Sequence, residues 1–218
     1  MKDERTALRD AISPAAARRF YDRLGARYDW FAFYEGRAKQ SAFNWLELKP
    51  GMWLLNVGVG TGREHQLMQA ALRPGLACGI DLSGRMVHLA SRRTHAPLCQ
   101  ADARHLPFAA GSFDRLCATY VLDLMPTWEL LPLLYGFRRV LRSNGWLVLV
   151  SLTEGTGKVS RALMNLWKQV YRLNPEACGG CRPLRLGEWV QEADFQVVRQ
   201  QVVTQWAIPS EVVLAMPA

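Results

Sequence analysis

The sequence contains no hydrophobic run long enough to cross a membrane, and this absence sets the first limit on function. Its most apolar segment, Gly145 to Leu152, is far shorter than the roughly 20 residues that span a bilayer. The N-terminal segment MKDERTALRD has no apolar stretch of the kind found in secretory signal peptides. We therefore expect a cytoplasmic protein, either free or in peripheral contact with the inner face of the membrane.

Cysteines are few, and their spacing gives little support for a metal site. Of the 5 cysteines, Cys78, Cys99 and Cys117 lie in or beside apolar runs, which favours reduced core residues. Cys178 and Cys181 have the spacing of metal ligands, but a zinc site usually needs a second such pair or nearby histidines. We therefore predict a glycine turn with incidental thiols at this point, and no metal.

Acidic residues are outnumbered, with 19 Asp and Glu against 27 Lys and Arg and a net charge of +8. This balance suits an anionic partner such as nucleic acid, a phospholipid surface or an acidic substrate. Basic residues never follow one another in a long run, so a solvated surface explains the charge equally well. With 218 residues and 50% hydrophobic content, the chain is expected to form a single domain with a substantial core.

Short apolar segments alternate with helical patterns, which predicts a mainly parallel sheet with helices on both faces. The single domain divides into a helical N-terminal part, a core, an insertion and a C-terminal part, at 1–49, 50–153, 154–185 and 186–218. Two consecutive apolar segments, Phe195–Val203 and Gln205–Leu214, must pair antiparallel because so few residues join them. We therefore predict an α/β fold with a mostly parallel seven-stranded sheet and one antiparallel strand near its C-terminal end.

A glycine-rich turn follows the first predicted strand. Gly58, Gly60 and Gly62 lie between that strand and a helical pattern, where glycine permits a tight turn and close approach of a ligand. Asp81 ends the second strand about 20 residues later, where doubly wound folds place a carboxylate on ribose hydroxyls. Asp102 follows the third strand and can accept a hydrogen bond from an adenine amino group. Together these elements indicate an adenosine-binding site.

Two other classes of nucleotide-binding protein are excluded by the same segment. The dinucleotide fingerprint needs glycine or alanine at the position that Arg63 occupies, so a dehydrogenase is not expected. A P-loop motif is absent from the sequence, which excludes nucleotide enzymes of that type.

Four segments, in this order and spacing, resemble one known family: LLNVGVGTG, GIDLSGRMVHLA, ADARHLPFAAGSFDRL and RRVLRSNGWLVLVS. They are similar to the class I S-adenosylmethionine-dependent methyltransferases, in the ubiquinone/menaquinone C-methyltransferase-like branch of methyltransferase domain 11 type. This branch is itself similar to bacterial phospholipid N-methyltransferases. The resemblance covers residues 20–151 and implies a Rossmann-like doubly wound fold, S-adenosyl-L-methionine as cofactor and an N-terminal helical lid.

The resemblance also implies how the cofactor would be bound. The three glycines of the turn would line its methionine end. Asp81 would hold the ribose diol, and Leu82 would lie against the adenine. Asp102 and Ala103 would bind the adenine edge.

Three tyrosines and one asparagine complete the cofactor site that the resemblance implies. Tyr120 would border the sulfonium and the methyl acceptor. The segment YDRLGARYD matches the family's N-terminal helix, which makes Tyr21 and Tyr28 candidates for the lid. Asn56 stands where the family usually carries an acidic residue, so it keeps hydrogen bonding but removes a charge. We expect either weaker cofactor binding or a compensating group elsewhere.

Three residues are candidates for a catalytic role. Tyr120 and Asp123 follow the fourth strand, where Asp123 is either a general base or a cap for the helix after Pro126. His105 could orient an acceptor, although a single loop histidine is more often structural. A base is needed only if the acceptor must lose a proton before it is methylated.

Four functions are compatible with the sequence. The first is methyl transfer to a small lipophilic acceptor such as a quinone precursor, and the second is N-methylation of a phosphatidylethanolamine-type head group at a membrane surface. The basic and apolar residues of 154–183 suit an amphiphile or an anionic membrane, or simply a helix packed on the sheet. A nucleic-acid methyltransferase is disfavoured because no Asn/Asp-Pro-Pro-Tyr motif follows the fourth strand, so no nucleic-acid partner is expected. The fourth function is cofactor binding without catalysis.

Overall fold

A seven-stranded sheet forms the centre of the molecule, in a computed structural model that describes residues 11–218. The spatial order of the strands is β3-β2-β1-β4-β5-β7-β6. Their bounds are β1 Trp53–Val57, β2 Leu76–Asp81, β3 Leu98–Gln100, β4 Phe113–Thr119, β5 Leu141–Leu152, β6 Phe195–Gln205 and β7 Ile208–Pro217. The pairs among β1 to β5 are parallel, and β7 is antiparallel to both of its neighbours. The predicted mixed sheet with one antiparallel strand is confirmed.

Helices flank the sheet and connect its parallel strands. Their bounds are α1 Pro14–Leu24, α2 Tyr28–Phe31, α3 Gly36–Trp45, α4 Arg63–Leu72, α5 Gly84–Ser91, α6 Thr127–Val140, α7 Lys158–Leu173 and α8 Leu186–Glu192. Within residues 11–218, none of these helices combines the length and the hydrophobicity that a membrane crossing requires.

The apolar core lies on both faces of the sheet because neighbouring residues of a strand point to opposite sides. In β1, Leu55 and Val57 pack with the large cluster that includes Phe137 of α6. Leu54 packs on the other face, in a cluster that includes Trp45 of α3. Alternation within one buried strand therefore anchors helices on both sides, as the sequence predicted.

The C-terminal hairpin differs from the sequence prediction in its turn. Gln205 ends β6 and β7 begins at Ile208, whereas the apolar pattern predicted a strand from Gln205 onward. Trp206 and Ala207 form the turn with φ angles of 53° and 63°. Such turns normally carry Asn-Gly or Asp-Gly, so the sequence contained no turn signal at this point.

The strand order reverses around β1, because β2 and β3 lie on one side of it and β4 lies on the other. Open parallel sheets bind ligands outside the carboxyl ends of their strands at such a reversal. The glycine turn after β1, Asp81 at the end of β2 and Tyr120 after β4 all lie at this edge. The fold therefore brings together residues that are far apart in sequence.

Candidate active site

The glycine turn between β1 and α4 holds a backbone conformation that other residues rarely adopt. Gly58, Gly60 and Gly62 have φ angles of 73°, 55° and 84°. A Cβ atom on Gly58 would lie 2.4 Å from Val121 Cγ2, and one on Gly60 would lie 3.7 Å from the Tyr28 ring. Gly58 and Gly60 line a large cavity, so their backbone is accessible to a ligand at this edge of the sheet.

Gly62 occupies a different environment from the other two glycines of the turn. It is buried and does not line the large cavity. A Cβ atom there would lie 2.6 Å from Cα of Ala90 in α5. Gly62 therefore allows the start of α4 to pack closely on α5.

Asp81 connects the glycine turn to the loop that starts α5. Its Oδ2 accepts the N–H of Gly60 at 2.9 Å, and its Oδ1 accepts the N–H of Ser83 at 2.9 Å. Burial raises the pKa of the Asp81 carboxyl group to about 6, although both hydrogen bonds oppose this shift. The carboxylate lines the cavity and keeps lone pairs for further donors. These properties fit a pair of neighbouring hydroxyl groups such as those of a ribose.

Asp102 lines the same cavity and is held in place by Arg104. Nε of Arg104 donates to Oδ1 at 2.9 Å, and a terminal nitrogen donates to Oδ2 at 2.5 Å. Arg104 also donates to Oε1 of Glu129 at 3.0 Å, which connects this loop to α6. The hydrogen bonds from Arg104 lower the pKa of Asp102, so the carboxylate is ionised at neutral pH. Leu82 and Ala103 line the cavity beside it.

The cavity has a volume of about 390 Å³ and extends beyond the two carboxylates. Its remaining walls are largely apolar and include Ile12, Leu124 and Met125. Tyr21 and Tyr28, which the sequence predicted as lid residues, line it from the N-terminal segment. The Tyr21 and Tyr28 rings make an edge-to-face contact with centroids 6.1 Å apart. The cavity therefore combines a polar region with an apolar one.

Hydrogen bonds fix the N-terminal segment over the glycine turn. Oδ1 of Asp29 accepts from Thr61 Oγ1 at 2.7 Å, and Oδ2 accepts from Arg93 at 2.9 Å. Ser83 Oγ donates to Asp22 Oδ1 at 2.5 Å. Sequence analysis missed Asp22 and Asp29, because their partners lie at least 32 positions away in the chain.

Asn56 faces a histidine and does not line the large cavity. Its Nδ2 lies 3.3 Å from Nδ1 of His65, and burial lowers the pKa of that histidine to about 4. Asn56 also lines a small second cavity together with Lys39 and Glu64. Nζ of Lys39 lies 2.7 Å from Glu35 Oε2 and 3.7 Å from Glu64 Oε1. One ammonium is thus shared by two carboxylates, so one negative charge is not neutralised. This charge lies close to Asn56, where an acidic residue is usual in the family that the sequence resembles.

Tyr120 lies directly after β4 and lines the large cavity. It has a φ angle of 55°, an unusual value for a bulky residue, and such strain is frequent at functional sites. Its hydroxyl lies 2.7 Å from Ser210 Oγ, and its ring contacts Tyr34 edge to face. Burial raises the pKa of Tyr120, so the phenol is protonated at neutral pH. Tyr120 therefore suits a role in shaping the cavity.

Asp123 and His105 lie outside the lining of the cavity. Oδ2 of Asp123 accepts the N–H of Leu152 at 3.3 Å, whereas Oδ1 has no hydrogen-bond partner within residues 11–218. Burial raises the pKa of Asp123 to about 7. The helix-cap interpretation of Asp123 is wrong, because the cap position of α6 is Pro126 and Asp123 binds β5 instead. His105 is solvent-exposed.

Cys178 and Cys181 lie in a buried turn that packs on α7. The Cys178 thiol lies 3.8 Å from the carbonyl oxygen of Trp167, and Nε1 of Trp167 donates to the carbonyl of Cys181 at 2.9 Å. Among the described residues, no group of three or more potential ligands is arranged to hold a metal ion.

Most of the site residues fall within a region that matches a known protein family. Residues 55–149 match the family model described as "Methyltransferase domain". This range starts in β1 and ends in β5, so it contains the glycine turn, Asp81, Asp102 and Tyr120. The chain is therefore similar to the methyltransferase domain family over these residues.

Curated relatives cover more of the chain at modest identity. A malonyl-[acyl-carrier protein] O-methyltransferase of a Marinomonas species is 32% identical over 159 residues, which are 69% of this chain and 56% of the relative. A demethylmenaquinone methyltransferase of Desulfitobacterium hafniense is 28% identical over 163 residues, 71% of this chain and 62% of the relative. The chain thus spans little more than half the length of these relatives.

Solved structures share the fold at lower identity. The magnesium protoporphyrin IX methyltransferase of Synechocystis PCC 6803, solved with bound S-adenosylhomocysteine, superposes with a TM-score of 0.66 and 18% identity. The superposition covers 84% of this chain and 82% of that protein. The chain therefore shares the fold of solved S-adenosylmethionine-dependent methyltransferases, and its residues 55–149 match the methyltransferase domain model.

Proposed function

We propose that this protein transfers the methyl group of S-adenosylmethionine to a small lipophilic acceptor such as a quinone precursor. The observation that carries the proposal is the continuity of one cavity, in which Asp81 and Asp102 are followed by an apolar wall that includes Leu124 and Met125. The carboxylates suit the adenosine part of the cofactor, and the apolar wall suits a lipophilic acceptor. Relatives named for methylation of demethylmenaquinone and of 2-phytyl-1,4-naphtoquinone support this acceptor class.

Cofactor binding is assigned to residues of the cavity. Asp81 accepts the two ribose hydroxyls, while Asp102, Ala103 and Leu82 surround the adenine. The backbone of Gly58 and Gly60 contacts the methionine part. Tyr21 and Tyr28 cover the site from the N-terminal segment, which Asp22 and Asp29 hold in place.

Catalysis rests mainly on positioning and exclusion of water. When bound, S-adenosylmethionine supplies an electrophilic methyl group on a positively charged sulfur. Tyr120, fixed by Ser210 and Tyr34, forms the wall that holds the acceptor in line with that methyl group. Positioning of this kind can contribute about 7–11 kcal/mol to lowering a barrier. Asp123 and His105 do not line the cavity, so neither is assigned as a base that contacts the acceptor.

A calorimetric titration with S-adenosylhomocysteine, run beside NAD, tests the cofactor assignment. We expect saturable binding of S-adenosylhomocysteine and none of NAD. Incubation with S-adenosylmethionine and a panel of hydroxylated quinone precursors should then release S-adenosylhomocysteine, which mass spectrometry measures. Failure of S-adenosylhomocysteine to bind would contradict the cofactor assignment. Binding followed by turnover only on phosphatidylethanolamine would overturn the acceptor assignment alone.

Glu64 is predicted to supply the negative charge that Asn56 lacks. Replacing Glu64 by glutamine should weaken S-adenosylhomocysteine binding about tenfold, because the ligand's ammonium group would lose the attraction of a nearby negative charge, which is on the order of 1–4 kcal/mol at about 4 Å. Adding Asn56→Asp should restore most of the affinity by returning a carboxylate to the same small cavity. Glu188→Gln, on the exposed side of α8, is the matched control. Equal affinity in the Glu64 and Glu188 variants would contradict the prediction.

A further inference from the structure

Helix α7 carries an apolar stripe that the described part of the molecule leaves exposed. Val159, Leu166, Val170 and Leu173 follow one another at spacings that place them on one face of a helix. Their exposed fractions are 73%, 60%, 37% and 86%. Large aliphatic side chains grouped in this way are unfavourable in water and commonly mark a contact surface.

The helix packs on the protein through another face. Its buried residues are Ser160, Met164 and Tyr171. The Trp167 ring contacts the Tyr34 ring edge to face at 6.3 Å between centroids. Because these residues already anchor α7, the exposed stripe contributes little to the core.

Basic side chains lie beside the stripe on the outward side of α7. Lys158, Arg161 and Arg172 are exposed, and none of the three forms an ion pair with a carboxylate of residues 11–218. Lys168 differs, since it is paired with Glu154 at 2.5 Å. The face therefore combines an apolar stripe with uncompensated positive charge.

Two further exposed aromatic residues lie outside α7, one in the N-terminal segment and one in the turn between β6 and β7. Phe33 and Trp206 are 57% and 72% exposed. The Phe33 carbonyl accepts from Gln205 Nε2 at 2.8 Å, and the Phe33 ring contacts Tyr34, which in turn contacts Trp167 of α7. Because the Tyr34 ring is buried, this contact reaches the packed face of α7, and the exposed surface of the helix includes the stripe and its flanking cations.

We propose that this surface docks the protein on an anionic phospholipid bilayer, with the stripe among the acyl chains and the cations at the head groups. An amphipathic helix with flanking lysine and arginine matches both parts of such a surface. A second copy of the chain, which also carries a charge of +8, would repel this face electrostatically. The proposal does not rest on the methyl acceptor, because vesicle binding is measured without turnover.

Flotation of the full chain with vesicles tests the proposal. We expect binding to vesicles containing phosphatidylglycerol, little binding to pure phosphatidylcholine, and release at high salt because the charges are screened. Leu166→Asn should weaken partitioning about tenfold, because one leucine no longer enters the apolar phase. Leu67→Asn on α4 is the matched control, since its leucine is similarly exposed at 57%.

Charge removal gives an independent result. Arg161→Gln combined with Arg172→Gln should weaken partitioning about fivefold for each arginine removed. Arg73→Gln with Arg92→Gln changes the net charge equally at exposed positions outside α7 and should have a smaller effect. Equal losses in the two double variants, or in the Leu166 and Leu67 variants, would overturn the assignment to α7. Loss of a dimer in sedimentation of the Leu166 variant, without vesicle binding by the parent protein, would show a protein interface instead.

Discussion

Replacing Asp81 by asparagine is expected to weaken S-adenosylhomocysteine binding about a hundredfold or more, because hydrogen bonds to a charged acceptor contribute about 1.5–3 kcal/mol each. The carboxylate accepts backbone N–H groups of Gly60 and Ser83 in addition to the proposed ribose hydroxyls. An asparagine at this position would direct an amide donor at one of those N–H groups. Isothermal titration calorimetry measures the change in affinity directly.

The affinity of the unmodified protein should also fall as the pH decreases through about 6. Burial raises the pKa of Asp81 to about 6, so the carboxylate is ionised above this pH, and below it the neutral acid accepts fewer and weaker hydrogen bonds. The pKa of Asp102 is lowered by Arg104, so this group stays ionised over the same interval. In Asp81→Asn the pH dependence between 5 and 7 should disappear.

A matched substitution distinguishes the loss of the ribose contact from a general loss of negative charge. Asp194 is exposed and has a φ angle of 57°, a conformation that asparagine tolerates well. Asp194→Asn should therefore keep both the affinity and its pH dependence. If Asp81→Asn retained affinity within a factor of about three, well short of the loss expected from its charged hydrogen bonds, its assignment to the ribose would be wrong.

The sheet was predictable because its signals are local. The strand β1, for example, is a short apolar run that is followed directly by the glycine turn. The hairpin turn was not predictable, because Trp206 and Ala207 adopt positive φ angles without any residue that favours them. There the pairing of β6 with β7 imposes the conformation on the turn.

Residues of the candidate site were predictable where a strand end places them. Asp81, Asp102 and the glycine turn follow strands, so sequence order alone brought them to one edge of the sheet. The Asp29 contacts with Thr61 and Arg93 were not predictable, because they depend on how the N-terminal segment crosses the finished sheet. The partner of Asp123 was misjudged for the same reason, since its hydrogen bond reaches across to β5.

A substitution at Gly62 tests the close packing of α4 on α5 separately from any contact with the cofactor. Gly62→Ala should lower the free energy of unfolding by about 3 kcal/mol, because the new methyl group would overlap the backbone of Ala90 and the φ angle is unfavourable for alanine. At about 2–4 °C for each kcal/mol in a domain of this size, the melting temperature should fall by about 10 °C. Differential scanning calorimetry without ligand measures this shift.

Gly111 offers the control for backbone strain without overlap. It has a similar φ angle of 63°, and an added Cβ atom would meet nothing within 4 Å. Gly111→Ala should therefore lower the melting temperature by only about 3 °C, which reflects conformational strain of about 1 kcal/mol. If both variants lost the same stability, close packing of α4 on α5 would not be the role of Gly62. A Gly62 variant with normal stability and reduced S-adenosylhomocysteine affinity would instead assign this glycine to the cofactor, as the resemblance to methyltransferases implies.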